Sequence, residues 1–92
     1  MGSNDNWNRL RGLYVIVDSE HTAGRSPVEI TRAALAGGAR VIQLRDKVSD
    51  KGPMLETAIE VSDLCKEAGA LFFMNDHADI AVLCAADGLH VR

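Results

Sequence analysis

Strand-like and helix-like segments alternate strictly along this chain, and no two consecutive strand-like segments are joined by a hairpin turn. Runs rich in β-branched and apolar residues recur at residues 13–17, 40–45, 70–74 and 88–91, and helical patterns fill the intervals between them. Strands that are connected through helices run parallel, with right-handed crossovers. The alternation therefore predicts an α/β fold of the order β-α-β-α-β-α-β on a parallel sheet.

Local signals mark the ends of the predicted helices. Ser26 and Glu29 form a capping-box pattern around Pro27, which occupies the first helical position, and Gly37-Gly38 is the expected end of this helix. The second helix is expected to follow a loop through Ser49, Asp50 and Gly52, to end at Gly69, and to bury one face consisting of Leu55, Ala58, Ile59, Ser62 and Cys65. The third helix is predicted over residues 78–86.

Length favours one of the two architectures that share this alternation. An open Rossmann-type sheet usually carries a glycine-rich turn after its first strand, whereas residues 18–26 contain only Gly24. A complete (β/α)8 barrel needs about 250 residues, so 92 residues with four strands correspond to half of one. We therefore predict the first half of a (β/α)8 TIM barrel over residues 12–92, after a polar, partly disordered arm over residues 1–11.

Charge and hydropathy exclude several classes of partner. Ten basic and thirteen acidic residues give a net charge of −3 without a cationic run, so a nucleic-acid partner is not expected. The longest apolar stretches are far shorter than the roughly 20 residues that span a membrane. Because the first eleven residues lack the apolar centre of a secretory signal, a cytoplasmic protein is expected.

Cysteines and histidines show no metal-ligand spacing. Cys65 and Cys84 are nineteen positions apart in apolar helical contexts, which predicts two buried free thiols. His21, His77 and His90 lie far apart in the sequence, so we interpret them as residues that bind no metal. A packed, hydrogen-bonded role is expected for His90.

Polar side chains collect where the second predicted strand ends. Period-two alternation puts Gln43, Arg45 and Lys47 on one side of this strand and its exit. In a (β/α) barrel the active site lies at the carboxyl ends of the strands, so an amide and two cations there predict an anion-binding wall. The alternative is that Arg45 and Lys47 are solvated loop charges and that Gln43 is a hydrogen-bonded core amide.

The third predicted strand ends at the same edge in Asn75-Asp76. An amide beside a carboxylate can hold a hard cation such as Mg²⁺. The alternative interpretation is an ordinary helix N-cap, for which both residue types are common.

Together, these segments resemble the N-terminal half of thiamine phosphate synthase, in the order and spacing of that family. The segments are Ala36-Gly37-Gly38, Val41-Ile42-Gln43-Leu44-Arg45-Asp46-Lys47, Asn75-Asp76 with Asp79-Ile80-Ala81, and Ala86-Asp87-Gly88-Leu89-His90-Val91. The resemblance covers residues 10–92. Each motif is weak by itself, and the combination is specific.

The resemblance implies a transferase that couples hydroxymethylpyrimidine diphosphate to a thiazole phosphate and releases pyrophosphate, on a (β/α)8 barrel with Mg²⁺. By that resemblance, Gln43, Arg45, Lys47 and Asn75 match ligands of the pyrimidine diphosphate, Asp76 matches a Mg²⁺ ligand, and Tyr14 matches an active-site aromatic residue. No catalytic residue is identified.

The family pattern continues beyond Arg92 into G-Q-x-D, whose aspartate supplies a second metal ligand. We therefore expect this chain to be inactive alone, and to act as a homo-oligomer or with a complementing C-terminal half.

Two alternatives remain open. One is a thiazole tautomerase relative, which shares the barrel and parts of the Arg-x-Lys and Asn-Asp motifs. The other is a non-catalytic, self-associating half-barrel that binds phosphorylated ligands. Gln43 and the A-D-G-x-H segment favour the synthase over the tautomerase.

Overall fold

The computed structural model describes residues 14–90, apart from the side chain of His90. The predicted arm over residues 1–11 and the last residues of the chain lie outside the described residues. The described elements are β1 (Tyr14–Asp18), α1 (Pro27–Ala36), β2 (Val41–Arg45), α2 (Lys51–Ala68), β3 (Leu71–Asn75), α3 (Ala78–Leu83) and β4 (Gly88–His90).

The four described strands form one parallel sheet in the order β1-β2-β3-β4, which confirms the predicted α/β fold. Right-handed crossovers between strands that follow one another in a single direction put every connecting helix on the same face of the sheet. A doubly wound sheet would instead reverse its strand order and have helices on both faces. The observed order is that of the first part of a (β/α)8 barrel, as predicted.

The two faces of the sheet differ in burial. The outer face packs against the helices through fully buried side chains, namely Val17, Ile42, Leu44, Phe72 and Met74. Residues of α2 and α3, including Ala58, Val61, Cys65 and Ile80, complete this core. The opposite face, called the inner face below, carries Tyr14, Ile16 and Leu71, which are 47%, 55% and 49% exposed. The hydrophobic core therefore lies between the sheet and its helices.

The ends of α1 and α2 follow the local sequence signals. The Ser26 hydroxyl accepts the backbone N–H of Glu29, and the Glu29 carboxylate accepts the backbone N–H of Ser26, both at 3.1 Å. This confirms the predicted capping box. Gly69 ends α2 in the left-handed region, with a φ of 72°. After α1 the positive φ of 101° falls on Gly38 and not on Gly37.

Two predictions for α2 were wrong. The helix begins at Lys51, so Gly52 lies in its first turn and not in the preceding loop. Its buried face consists of Met54, Ala58, Val61, Ser62 and Cys65. Leu55 is only partly buried and Ile59 is 40% exposed, because the helix is rotated to bring Met54 and Val61 onto the sheet.

The third helix is shorter than predicted. It ends at Leu83, because the chain turns at Ala85, where φ is 56°. At its start, Asn75 still belongs to β3 and the N-cap is His77. The alternative interpretation of Asn75-Asp76 as the helix N-cap is therefore wrong.

Both cysteines are buried and free, as predicted. Burial raises the pKa of the Cys65 thiol to about 11, and the Asp87 carboxylate acts in the same direction. Burial also raises the pKa of Cys84. Within residues 14–90, no helix combines the length and the apolar character that crossing a membrane requires.

Gly88 lies beside Phe73 in the parallel register of β3 and β4. A Cβ atom at position 88 would lie 2.4 Å from Cε2 of the Phe73 ring, a distance at which the ring or the strand must move. The glycine of the A-D-G-x-H segment thus permits this aromatic ring to lie against β4.

We predict that Gly88→Ala lowers the free energy of unfolding by about 1–3 kcal/mol, because it overpacks this contact. Urea denaturation measures the change. Gly52→Ala is the matched control: a Cβ there meets no atom within 4 Å, and alanine in a helix is neutral or stabilising. An equal loss from Gly88→Ala in a Phe73→Ala background would show that the aromatic contact is not the cause.

Candidate anion-binding site at the strand ends

The inner face of the sheet changes from apolar to polar along the direction of the strands. Residues at the same level form layers across the parallel register. The first layer is Tyr14, Val41 and Leu71; the second is Ile16, Gln43, Phe73 and Gly88; the third is Asp18, Arg45 and Asn75, with His90 at the register position beside Asn75. The charged and amide side chains therefore lie together at the carboxyl edge of the sheet, where a (β/α) barrel has its active site.

A chain of hydrogen bonds crosses three strands of this face. The Tyr14 hydroxyl bonds to Oε1 of Gln43, and Nε2 of Gln43 donates to Oδ1 of Asn75 at 3.0 Å. Nδ2 of Asn75 then donates to Oδ2 of Asp76 at 2.9 Å. Gln43 and Asn75 are 4% and 2% exposed, so these bonds satisfy buried amides that would otherwise be costly. Four predicted site residues are thereby joined.

The terminal carboxylate sets the direction of this chain. An ionised carboxylate only accepts, so Asn75 presents its NH2 group to Asp76 and its oxygen to Gln43. Gln43 must then present its own NH2 group to Asn75 and its oxygen to Tyr14. Tyr14 consequently acts as the donor and carries its proton. The orientation of both amides follows from the charge of Asp76.

Arg45 lies in the same polar layer, facing an acidic residue that the sequence prediction missed. Its Nε is 3.9 Å from Oδ2 of Asp18 in β1 and is buried without a hydrogen-bond partner among the described residues. The backbone N–H of Glu20 donates to Asp18 and lowers the pKa of that carboxyl, and His21 and Arg45 add to the effect. Asp18 is thus the counter-ion of Arg45. The pairing register of β1 with β2 brings Asp18 and Arg45 together, and this register cannot be deduced from the spacing of the two residues in the sequence.

Lys47 occupies an exposed loop after β2, apart from the hydrogen-bond chain. Asp46, beside it, is buried, and its Oδ1 accepts the backbone N–H groups of Val48 and Ser49 at 3.0 and 2.9 Å. Burial acts to raise the pKa of Asp46, but the hydrogen bonds from Ser49 and Val48 outweigh it and lower that pKa. Lys47 itself forms no ion pair within residues 14–90. Its backbone lies within a loop that a buried carboxylate holds together.

Two further contacts join the segments that follow β2 and β3. Nε2 of His77 is 3.0 Å from the backbone carbonyl oxygen of Asp46. Nζ of Lys51 pairs with both carboxylate oxygens of Asp79 at 2.7 and 2.8 Å. Sequence spacing did not indicate either contact, because the partners are 31 and 28 positions apart.

Asp76 follows β3 directly and is exposed at this edge. Its φ is 65°, in the left-handed region that aspartate enters more readily than most residues. Among residues 14–90, a separate group of possible metal ligands consists of Asp18, Glu20 and His21, whose ligand atoms lie within 4.8 Å of one another. Asp76 is not part of that group. Exposed acidic groups of this kind are common without a metal, so this group carries no assignment.

A sequence model of a protein family, described as thiamine monophosphate synthase, matches residues 13–92. The thiamine-phosphate synthase of Lawsonia intracellularis is 44% identical over 79 residues, which are 86% of this chain and 36% of that protein. The thiamine-phosphate synthase of Methanoculleus marisnigri is 43% identical over 79 residues, or 86% of this chain and 37% of its own length.

A solved structure, thiamine phosphate pyrophosphorylase from Pyrococcus furiosus, superposes with a TM-score of 0.76 at 33% identity. The match covers 88% of this chain and 39% of that one. The chain thus spans somewhat more than a third of the length of these similar proteins.

We predict that Tyr14→Phe lowers the free energy of unfolding by about 0.5–1.5 kcal/mol, because Oε1 of Gln43 loses its donor. Urea denaturation measures the loss, and the side-chain amide resonances of Gln43 report its orientation. Gln43→Met provides the control background, since it removes the acceptor at similar volume. If Tyr14→Phe costs as much in that background as in the wild type, the hydrogen-bond chain does not contribute as described.

Proposed function

This chain belongs to the thiamine monophosphate synthase family, and on that premise we propose that it forms part of an enzyme that joins hydroxymethylpyrimidine diphosphate to a thiazole phosphate. Pyrophosphate is the leaving group of this reaction. Because the chain spans less than two thirds of its relatives, the proposal concerns the wall that binds the pyrimidine diphosphate. A cytoplasmic location stays a prediction.

The observation that supports the proposal best is the polar layer at the carboxyl edge of the inner face. Arg45 lies there beside buried amides whose orientation is already fixed by hydrogen bonds. Gln43 retains a second amide N–H for a ligand, since its NH2 group has two donors and one of them is bonded to Asn75. Groups that are ordered before the substrate arrives lose little entropy when it binds. We therefore assign Gln43, Asn75 and Tyr14 to the pyrimidine side of the substrate.

Arg45 and Lys47 are proposed to bind the diphosphate. The planar guanidinium of Arg45 can bind phosphate oxygens through two hydrogen bonds, whereas Lys47 contributes a compact point charge. Negative charge grows on the diphosphate as its bond to the pyrimidine methylene carbon breaks. Cations that are placed in advance at this position stabilise that charge in the transition state.

Asp76 fits a magnesium ligand by the chemistry of its donors. Mg²⁺ is usually bound through one or two carboxylates, with water and substrate phosphate oxygens in the remaining positions. Asp76 supplies an exposed carboxylate at the edge where the diphosphate is proposed to bind, and its neighbour Asn75 orients it. When bound there, Mg²⁺ would neutralise part of the charge of the diphosphate.

The inner face supports a further proposal about assembly. Tyr14, Ile16 and Leu71 present apolar surface that is about half exposed, and water contact with such surface is unfavourable. We propose that a second copy or a complementing C-terminal half covers this face. Sedimentation distinguishes the two, because only a second copy gives a species larger than 9.9 kDa from this chain alone.

We predict that Arg45→Ala impairs catalysis more than Lys47→Ala. The test protein is a chimera in which residues 14–90 replace the matching segment of the Lawsonia intracellularis relative. Removal of the guanidinium fork is expected to lower kcat/KM for the pyrimidine diphosphate by about 30- to 1,000-fold, from a loss of roughly 2–4 kcal/mol.

Lys66→Ala is the charge-matched control for this comparison, because Lys66 lies in the last turn of α2, which leads to the opposite edge of the sheet. It is expected to keep the activity of the unmodified chimera. Normal kinetics of Arg45→Ala in an active chimera would rule out this strand end as the diphosphate site.

We predict that Asp76→Asn raises the magnesium concentration required for half-maximal activity of the same chimera. The amide keeps the shape of the side chain but loses the negative charge that holds the cation. Excess Mg²⁺ is expected to restore part of the rate. A magnesium titration with both proteins measures the shift, and an unchanged midpoint would remove Asp76 as a ligand.

A further inference from the structure

We propose that His77 is a positioning residue, which holds the loop carrying Lys47 in place relative to the loop that begins with Asp76. This inference rests on the proposed function of the site. His77 contacts neither Gln43 nor Asn75 among the hydrogen bonds of residues 14–90. Its effect on a ligand would therefore pass through the loop over residues 46–49.

The geometry of the contact defines the state of the imidazole. The partner of Nε2 is the backbone carbonyl oxygen of Asp46, at 3.0 Å. A carbonyl oxygen only accepts, so Nε2 must carry the proton and donate it. The ring is part-buried, which excludes some of the water that would compete for this oxygen.

Asp46 is held by its backbone and its side chain at the same time. Its carbonyl oxygen accepts a hydrogen bond from Nε2 of His77, and its carboxylate accepts hydrogen bonds from the backbone N–H groups of Val48 and Ser49. Lys47 lies between these contacts in the chain, so its backbone has little freedom. Without the contact from His77, the loop keeps its internal turn but loses its attachment to β3.

The side chain of His77 is not engaged elsewhere in the helix. His77 occupies the N-cap position of α3, yet its side chain makes no capping hydrogen bond. Asp76, directly before it, bears the carboxylate proposed for the metal. One imidazole thereby links the backbone beside Lys47 to the backbone beside Asp76, across 31 positions of sequence.

The pair formed by Lys51 and Asp79 joins the first turns of α2 and α3, which follow these two loops, but it is a weaker constraint. Its side chains are 57% and 58% exposed, and ion pairs at that exposure contribute about 0.2–1 kcal/mol. A part-buried hydrogen bond is screened less by solvent. His77 is therefore expected to be the principal link between the loops.

Titration of the full 92-residue chain with inorganic pyrophosphate in the presence of Mg²⁺ tests the proposal. We expect His77→Phe, which keeps an aromatic ring but has no donor, to weaken binding by about two- to tenfold. His77→Gln, whose amide nitrogen can donate to the same oxygen, is expected to restore most of the affinity. In a Lys47→Ala background, His77→Phe is expected to have no further effect, because the cation that it positions is absent.

Backbone amide exchange provides a second readout that needs no ligand. Faster exchange at Val48 and Ser49 in His77→Phe than in His77→Gln is the expected result. Wild-type affinity of His77→Phe, a full effect of His77→Phe in the Lys47→Ala background, or unchanged exchange would overturn the inference while leaving the proposed function intact. Failure of the wild-type chain to bind pyrophosphate, with normal exchange at both amides, would instead overturn the proposed function and this inference with it.

Discussion

Parallel pairing of the four described strands is the constraint on which the site depends. Because each helical crossover returns the chain to the same edge, residues about 30 positions apart arrive at the same level of the sheet. Tyr14 and Asn75, which are 29 and 32 positions from Gln43 in the sequence, thereby come to lie one level below and one level above it, within hydrogen-bond distance. A shift of any strand by one residue would exchange its inner and outer faces and break the chain of amides. The buried outer face therefore fixes the register that the polar inner residues require.

Burial requires the two amide side chains of the proposed site to be hydrogen-bonded, and these bonds fix their orientation. Gln43 and Asn75 are nearly inaccessible to solvent, and a buried amide without partners would destabilise the fold. The chain that ends at Asp76 satisfies them and sets their orientation, so the fold and the proposed recognition of the pyrimidine use the same hydrogen bonds. Arg45 has no such close partner. Asp18 lies 3.9 Å from its Nε, so this carboxylate offsets the positive charge of the guanidinium without forming a short hydrogen bond to Nε. A diphosphate, with more charge than one carboxylate, can compete for it.

Sequence signals predicted those features that depend on neighbouring residues. The capping box of Ser26 and Glu29 and the end of α2 at Gly69 are local features, and both occur as predicted. The buried face of α2 includes Met54 and Val61 instead of the predicted Leu55 and Ile59, because packing against the sheet decides which apolar stripe of the helix is covered. The contacts of Asp18 with Arg45 and of His77 with Asp46 could not be predicted, since they depend on strand register and loop path. The family motifs indicated the residues that we propose for the site, but they did not indicate the contacts of Asp18 and His77 that hold them in place.

The polar and apolar layers of the inner face are connected energetically. Ile16 lies one layer below Asp18 and Arg45, and Tyr14 and Leu71 lie below that, where they are about half exposed. A partner that covers these apolar residues would also remove water from beneath the polar layer. The attraction between opposite charges becomes stronger as the surrounding dielectric constant decreases. Arg45 would therefore bind an anion more tightly when this face is covered. Assembly and ligand binding at this edge are therefore expected to reinforce each other, with Gln43 and Asn75 as the hydrogen-bonded boundary between the two regions.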